Sequence, residues 1–136
     1  MHLTLEADYA VRIMQVLCKA EKTKTDAGEI SRRACVTQSF TLKILRKLVS
    51  AGLVKSFKGT HGGYAATKAP QDITLLEVIE AIEGTYRFSK CLQNDSVCTM
   101  GTTDGCCYRR VFEMITASVR TQLAQSTFRD LLGETE

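Results

Sequence analysis

The chain has 136 residues, of which 44% are hydrophobic and 24% charged, with six cysteines, one proline and no tryptophan. This composition is typical of a single globular domain and excludes disordered, collagen-like and low-complexity chains. No apolar run approaches the roughly 18 residues of a membrane span. The first residues mix acids with apolar residues and lack a cleavage site, so no secretory signal is expected. We therefore expect a cytoplasmic protein away from membranes, where disulfide frameworks are rare and six cysteines need another explanation.

The net charge of +3 is unevenly distributed along the chain. Residues 1–70 contain 12 Lys and Arg against 5 Asp and Glu, a net charge of +7, whereas residues 71–136 contain 6 against 10, a net charge of −4. This asymmetry favours contact between the first half and a polyanion. A solvated basic face is the alternative explanation, and charge alone does not separate the two.

The first predicted element is an amphipathic helix over residues 4–20, where apolar residues recur every three or four positions. Asp26 and Glu29 have the spacing of a capping box, so a short helix is expected to run through residue 34. A tight turn is expected over residues 35–37.

A longer helix is predicted over residues 38–50, followed by Gly52 just beyond its end. Its expected inner face is apolar, and its expected outer face carries basic and hydroxyl side chains. The inner set is Leu42, Leu45, Leu48 and Val49, and the outer set is Thr41, Lys43, Arg46 and Lys47.

A β-hairpin is predicted next, with strands over residues 53–57 and 64–66 and a glycine-rich, basic tip between them. Thr74 and Glu77 form a second capping-box pattern, which begins a helix that ends at Gly84.

The last predicted element is one long helix from about Cys107 to Leu132. Val111, Ile115, Val119 and Leu123 form an apolar stripe along it. Such a stripe needs a cover, either a second copy of the chain or the chain's own first helix.

The order of short helix, tight turn, longer helix and hairpin is that of a winged helix-turn-helix, whose second helix enters the major groove of DNA. Residues 27–70 contain eight Lys and Arg, and Glu29 is the only acid among them. We therefore predict double-stranded DNA as the partner, against the alternative of a module for protein contacts. The predicted DNA-binding residues are Gln38, Ser39, Thr41, Lys43 and Arg46 on the helix and Lys55, Lys58, His61, Gly62, Gly63 and Tyr64 on the hairpin.

The cysteines divide into two groups. Cys18 and Cys35 are predicted to be small buried hydrophobic residues. The other four, Cys91, Cys98, Cys106 and Cys107, lie within a loop-forming segment, where several thiols indicate a metal or redox role. Their spacing differs from the paired cysteines of structural zinc sites and from the cysteine runs of ferredoxins.

Residues 51–84, AGLVKSFKGTHGGYAATKAPQDITLLEVIEAIEG, resemble the wing and following helix of the IscR/NsrR/RirA-type family of winged helix-turn-helix transcription regulators. The opening LTLEADYAVRIM is similar to that family's first helix, and the resemblance extends over about residues 2–130. It implies a mainly α-helical fold with a small β-hairpin wing. It also implies a homodimer on a palindromic operator, with the long C-terminal helices at the interface and an iron–sulfur cluster in the loop.

The resemblance implies a ligand set for this cluster. Cys91, Cys98 and Cys106 are the expected thiolates, with Cys107 as the alternative third one. For the fourth ligand it implies Asp8, donated across the dimer, and Glu6 is a lesser candidate. An Asp8–Arg12 ion pair within α-helical spacing is the competing explanation for Asp8. The separations of six and seven residues are longer than the family's usual five, so [2Fe–2S] and [4Fe–4S] both stay open.

The expected organisation is a DNA-binding domain over 1–84, a cluster-binding loop over 85–107, and a dimerisation helix and tail over 108–136. The expected function is a regulator, usually a repressor, whose DNA binding responds to nitric oxide, redox state or iron supply, and which is not an enzyme. Two alternatives stay open: a thiol/disulfide regulator without a cluster, and a small iron–sulfur carrier whose basic face docks an acidic partner.

Overall fold

The computed structural model describes residues 2–93, 96–101 and 105–134. Within these ranges the chain forms six α-helices, two short 3₁₀ helices and one antiparallel hairpin, which confirms the mainly α-helical fold with a small β-hairpin. No helix in the described ranges is both long and apolar enough to cross a membrane. The α-helices are α1 (Leu5–Lys19), α2 (Ala27–Ala34), α3 (Gln38–Ser50), α4 (Leu75–Glu83), α5 (Cys107–Gln125) and α6 (Phe128–Glu134). The strands are β1 (Val54–Phe57) and β2 (Gly63–Ala66), and the 3₁₀ helices are Pro70–Asp72 and Lys90–Leu92.

The core lies where α1, α2, α3, β1 and α4 meet. Ile13 and Leu17 of α1, Ile30 of α2 and Ile44 of α3 are fully buried there. Cys18 belongs to the same core at 2% exposure, as predicted, and burial raises the pKa of its thiol to about 11. Cys18 is therefore a packing residue that stays protonated.

Cys35 was predicted to be buried, and this prediction is wrong. Cys35 is exposed and ends α2 in the left-handed conformation, with φ of 57°. Its neighbour Val36 is the residue that enters the core, at 6% exposure. The turn between α2 and α3 therefore turns one side chain inward and leaves the thiol in solvent.

The N-terminus of α2 forms half of the predicted capping box. The Asp26 carboxylate accepts a hydrogen bond from the Glu29 amide at 2.9 Å. The Glu29 carboxylate instead accepts bonds from Arg32 and Arg33 one turn further along. These two guanidinium groups hold the pKa of Glu29 down to about 2.

The buried face of α3 differs from the predicted one. Thr41, Ile44, Leu45 and Leu48 are fully buried, whereas Leu42 is only partly buried and Val49 is exposed. The buried residues follow the spacing i, i+3, i+4 and i+7 that starts at Thr41. Threonine fills the volume of a valine at the first of these positions, so the outward placement of Thr41 was wrong.

The hairpin is tied to the rest of the chain through the segment before α2. β1 and β2 pair from Val54 opposite Ala66 to Phe57 opposite Gly63. The Thr25 and Tyr64 backbones exchange two hydrogen bonds of 2.9 Å. Gly63 is required at this crossing, because a Cβ atom there would lie 2.9 Å from the Thr25 carbonyl oxygen.

The C-terminal region contains two helices rather than the one predicted. The predicted capping box of α4 is confirmed at Thr74 and Glu77. α5 ends at Gln125, since the Ser126 carbonyl accepts a bond from the Leu75 amide at 2.9 Å and the Phe128 amide donates to the Ile73 carbonyl at 3.0 Å. This pairing turns the chain and places Phe128 in the core at 2% exposure.

No residue of α5 is fully buried in the described chain. Its predicted apolar stripe is half covered: Ile115, Val119 and Leu123 are partly buried, and Val111 is 49% exposed. One ion pair, Arg120 of α5 with Glu80 of α4 at 2.8 Å, ties the helix to the core. The first two turns of α5 therefore project as an uncovered apolar surface.

Candidate DNA-binding surface and cysteine cavity

The start and outer face of α3 carry most of the predicted DNA-binding side chains. Gln38, Ser39, Lys43 and Arg46 are all exposed, as contact with DNA requires. Thr41 is 0% exposed and cannot reach a base from this position, so the prediction that it contacts DNA is wrong. The Thr37 hydroxyl accepts a bond from the Phe40 amide and fixes the N-terminus of the helix.

The hairpin presents a second set of polar groups beside α3. Lys55, Lys58 and His61 are exposed, as predicted. Gly62 and Gly63 have structural roles instead of lying open to a ligand, since a Cβ atom on Gly62 would approach the Phe57 carbonyl oxygen to 2.4 Å and Gly63 is buried against Thr25. Tyr64 is half buried and packs against the core.

A cationic contact that the sequence did not predict lies near the tip of the hairpin, at the end of β1. The ammonium groups of Lys24 and Lys55 lie 4.4 and 5.3 Å from the centroid of the Phe57 ring. Lys24 precedes α2, and it comes close to the hairpin because of the Thr25–Tyr64 pairing. Such long-range proximity has no signal in the local sequence.

Glu6 of α1 contacts the lysines of α3. Its carboxylate lies 2.7 Å from the ammonium of Lys47 and 3.7 Å from that of Lys43. The hydrogen bond from Lys47 lowers the pKa of Glu6 despite the opposing effect of burial. Glu6 was a lesser candidate for a cluster ligand; within the chain it serves as a counter-charge to α3.

Three of the four loop cysteines line one small cavity of about 100 Å³. Cys91, Cys98 and Cys106 are the predicted thiolates, and all three are partly buried there. Cys107, the alternative to Cys106, is exposed and does not line this cavity. Parts of the predicted loop, residues 94–95 and 102–104, lie outside the described residues.

The walls of the cavity come from α5 and the segment before it. The Arg109 guanidinium donates a hydrogen bond of 2.9 Å to the Cys91 carbonyl oxygen. Phe112 lines the cavity, and behind it the Phe88 ring packs at a 42° tilt, with centroids 5.2 Å apart. Cys106 is the N-cap residue of α5, and its side chain makes no capping hydrogen bond there.

The chemistry of these side chains fits an iron–sulfur cluster, because thiolates are its usual ligands. The described residues contain no group of three or more His, Cys, Asp or Glu side chains already close enough to hold a metal ion. The cysteines are therefore brought to one cavity without converging on one point.

Asp8 lies apart from the cysteine cavity in the described chain. Its carboxylate pairs with Arg12 at 2.9 Å, which is the competing explanation given above. It also lines a larger cavity of about 730 Å³ between α1, α4 and α5, which Lys90 and Gln93 of the expected cluster-binding loop line as well. Donation of Asp8 across a dimer stays a prediction.

The chain is similar to known regulators over nearly its whole length. The sequence model of the Rrf2 family, described as an iron-dependent transcriptional regulator, matches residues 3–134. A Rhizobium meliloti protein is 31% identical over 68% of this chain and 60% of its own length. The HTH-type transcriptional regulator IscR of Vibrio atlanticus is 28% identical over 100% of this chain and 78% of its own.

Solved structures show the same fold. CymR of B. subtilis, described as the global cysteine regulator, covers 100% of this chain and 99% of its own, with a TM-score of 0.79 and 24% identity. IscR of T. potens covers 100% and 89%, with a TM-score of 0.78 and 23% identity. At these identities the likeness establishes the fold alone.

Proposed function

Because the chain belongs to the Rrf2 family of transcriptional regulators, we propose that it is a cytoplasmic homodimer that binds a palindromic operator under the control of an iron–sulfur cluster. Its relatives are named as regulators, and the chain is a transcriptional regulator and not an enzyme. A carrier role is not proposed, since it would leave the winged helix-turn-helix without a use.

One observation carries the cluster proposal: three cysteines far apart in the loop line the same cavity. Cys91, Cys98 and Cys106 would hold the cluster, which would supply a group that is damaged or lost on exposure to nitric oxide or oxidants. Arg109 holds the Cys91 backbone through a hydrogen bond to its carbonyl oxygen, and Cys106 lies at the N-terminus of α5. Asp8 of a second copy is the proposed fourth ligand.

The DNA-binding half of the proposal is supported by the exposed cations of α3 and the hairpin. Lys43 and Arg46 lie on the outer face of α3, and Lys55 and Lys58 lie on the hairpin beside it. A helix in the major groove and a hairpin along the neighbouring backbone would place these cations near phosphates.

The proposed dimer is supported by α5. Tyr108, Val111 and Met114 are 71%, 49% and 67% exposed in the described chain. A contiguous apolar surface of this kind marks an interaction site. The same helix packed against its symmetry mate would cover it and would place two copies of α3 in reach of two half-sites of DNA.

The two adjacent cysteines provide a matched test. Anaerobic reconstitution with iron and sulfide, followed by absorption and native mass spectra, measures cluster type, occupancy and dimer mass. Cys106→Ala is expected to lower cluster occupancy at least about tenfold, because even outer-shell changes cost metal sites that much. Cys107→Ala, one position along, is the control and is expected to keep the cluster.

Cys98→Ala is expected to lose the cluster as Cys106→Ala does. A stable, full cluster in Cys98→Ala would refute the ligand set. The reverse result for the adjacent pair, with Cys107→Ala defective and Cys106→Ala intact, would replace Cys106 by Cys107.

A second candidate function is regulation by the thiols themselves. It is favoured by the grouping of Cys91, Cys98 and Cys106 around one cavity, where oxidation could link two of them. A related CymR, from Staphylococcus aureus, has been solved in an oxidized form. Metal-free protein whose DNA affinity changes with peroxide and recovers with dithiothreitol would support this mechanism, and indifference to both reagents would remove it.

A further inference from the structure

Phe40 is a large apolar residue on the exposed side of α3 and is not part of the core. It is the third residue of the helix and is 41% exposed. The preceding two residues, Gln38 and Ser39, are also exposed. The first turn of the helix that enters the major groove is the part that contacts base edges, so Phe40 occupies a base-reading position.

The Phe40 ring is held in place by its neighbours. The Tyr9 ring of α1 meets it edge-on, with centroids 5.9 Å apart and planes at 80°. The Arg12 guanidinium lies 5.3 Å from the Tyr9 centroid, and the Lys43 ammonium lies 5.7 Å from the Phe40 centroid. Each of the two rings, which pack edge to face, thus has a cation next to it.

The chemistry of these two rings and two cations indicates which ligand they fit. Cations beside an exposed ring suit a polyanion that also offers an apolar group. In the major groove the only apolar group on a base edge is the C5 methyl of thymine, and phenylalanine is one of the side chains that contact it. Resting on the DNA-binding function proposed above, we propose that Phe40 recognises a thymine methyl group in each operator half-site.

The test removes the methyl group without changing the hydrogen-bonding pattern of the base. An operator is selected from random duplexes with the wild-type protein, and each thymine is then replaced in turn by deoxyuridine. Affinities of wild type and Phe40→Ala are measured by fluorescence anisotropy for every duplex. Wild type is expected to lose about threefold to fivefold affinity at one position per half-site, the effect of one methyl contact.

Phe40→Ala is expected to bind thymine and deoxyuridine at that position equally. Val49→Ala is the control, because Val49 is an exposed apolar residue nine positions later and so on the opposite side of the same helix. Val49→Ala is expected to lose as much affinity as the wild type when deoxyuridine replaces that thymine. Phe40→Leu, which retains an apolar side chain, is expected to show part of this loss and serves if the alanine variant fails to fold.

Several results would overturn the inference. Equal penalties in wild type and Phe40→Ala, or no penalty at any position in wild type, would exclude methyl recognition while leaving DNA binding intact. A Phe40→Ala variant that changes only the oligomeric mass would assign the ring to a protein contact. Failure of the wild type to prefer any duplex over a scrambled one would instead remove the proposed DNA-binding function itself.

Discussion

At the scale of single residues, Thr41 shows how a helical pattern of apolar residues can assign a buried side chain to the wrong face. Its hydroxyl is completely buried and has no hydrogen-bond partner among the described residues. A buried hydroxyl without a partner destabilises the folded state, because its hydration is lost and nothing replaces it. The shape of Thr41 therefore suits its buried position, but its unpaired hydroxyl lowers the stability of the folded protein.

Thr41→Val is expected to raise the free energy of unfolding by about 1 kcal/mol, since a methyl group replaces the unpaired hydroxyl at nearly the same volume. Urea denaturation measures the change, and operator affinity is expected to stay the same. The same substitution at Thr37 is the control: this residue caps α3, so Thr37→Val is expected to lower stability by about 1 kcal/mol.

A Thr41→Val protein that is more stable but binds the operator less tightly would contradict the buried placement. In that case the hydroxyl would be a DNA contact, and α3 would have to rotate about its axis on binding.

At the scale of elements, the break between α5 and α6 anchors the C-terminus. The backbone of residues 126–128 pairs with that of 73–75, and Phe128 enters the core beside α1. The end of the chain is thereby held to the domain that carries α3. The C-terminal end of α5, and with it that end of the apolar stripe, is therefore fixed relative to this domain.

Phe128→Ala is expected to lower the free energy of unfolding by about 3–4 kcal/mol, because it opens a cavity in the core. Arg129 is the adjacent residue and is exposed, so Arg129→Ala is expected to keep the free energy of unfolding within about 0.5 kcal/mol of the wild-type value. Thermal and urea denaturation followed by circular dichroism measure both. Equal stability of the two variants would mean that α6 is not anchored in solution.

The local elements were largely predictable from the sequence, because their signals are local. Thr74 and Glu77 begin α4, and α3 has the predicted bounds. The end of α5 was missed, since residues 126–127 contain neither glycine nor proline and the break depends on a distant segment. Thr41 was misplaced because threonine packs like valine.

The candidate site was predictable in part. The gathering of Cys91, Cys98 and Cys106 agrees with the expected cluster segment. Phe40 was overlooked because an aromatic residue within a helical pattern is usually a core residue. Lys24 was overlooked because its partner, Phe57, is more than thirty positions away in the chain.

At the scale of the whole molecule, the uncovered first turns of α5 are the proposed dimer interface. Met114→Arg is expected to raise the dimer dissociation constant about a hundredfold, since two-fold symmetry places the charge in the interface twice. Analytical ultracentrifugation measures the dissociation constant. Ala124→Arg adds the same charge at an exposed position about 140° around the same helix from Val111 and is expected to have little effect. A Met114→Arg protein that stays dimeric at low micromolar concentration would place the interface elsewhere.

The ion pairs of the basic half have a consequence for how salt controls DNA binding. Glu6 lies close to both Lys43 and Lys47, and Glu29 pairs with both Arg32 and Arg33, so each carboxylate offsets only one of the two positive charges beside it. Each carboxylate therefore leaves one of these paired charges to neutralise a phosphate. The decrease of log affinity with log salt concentration, about 0.9 per neutralised phosphate, therefore reports fewer contacts than the number of cations on this surface.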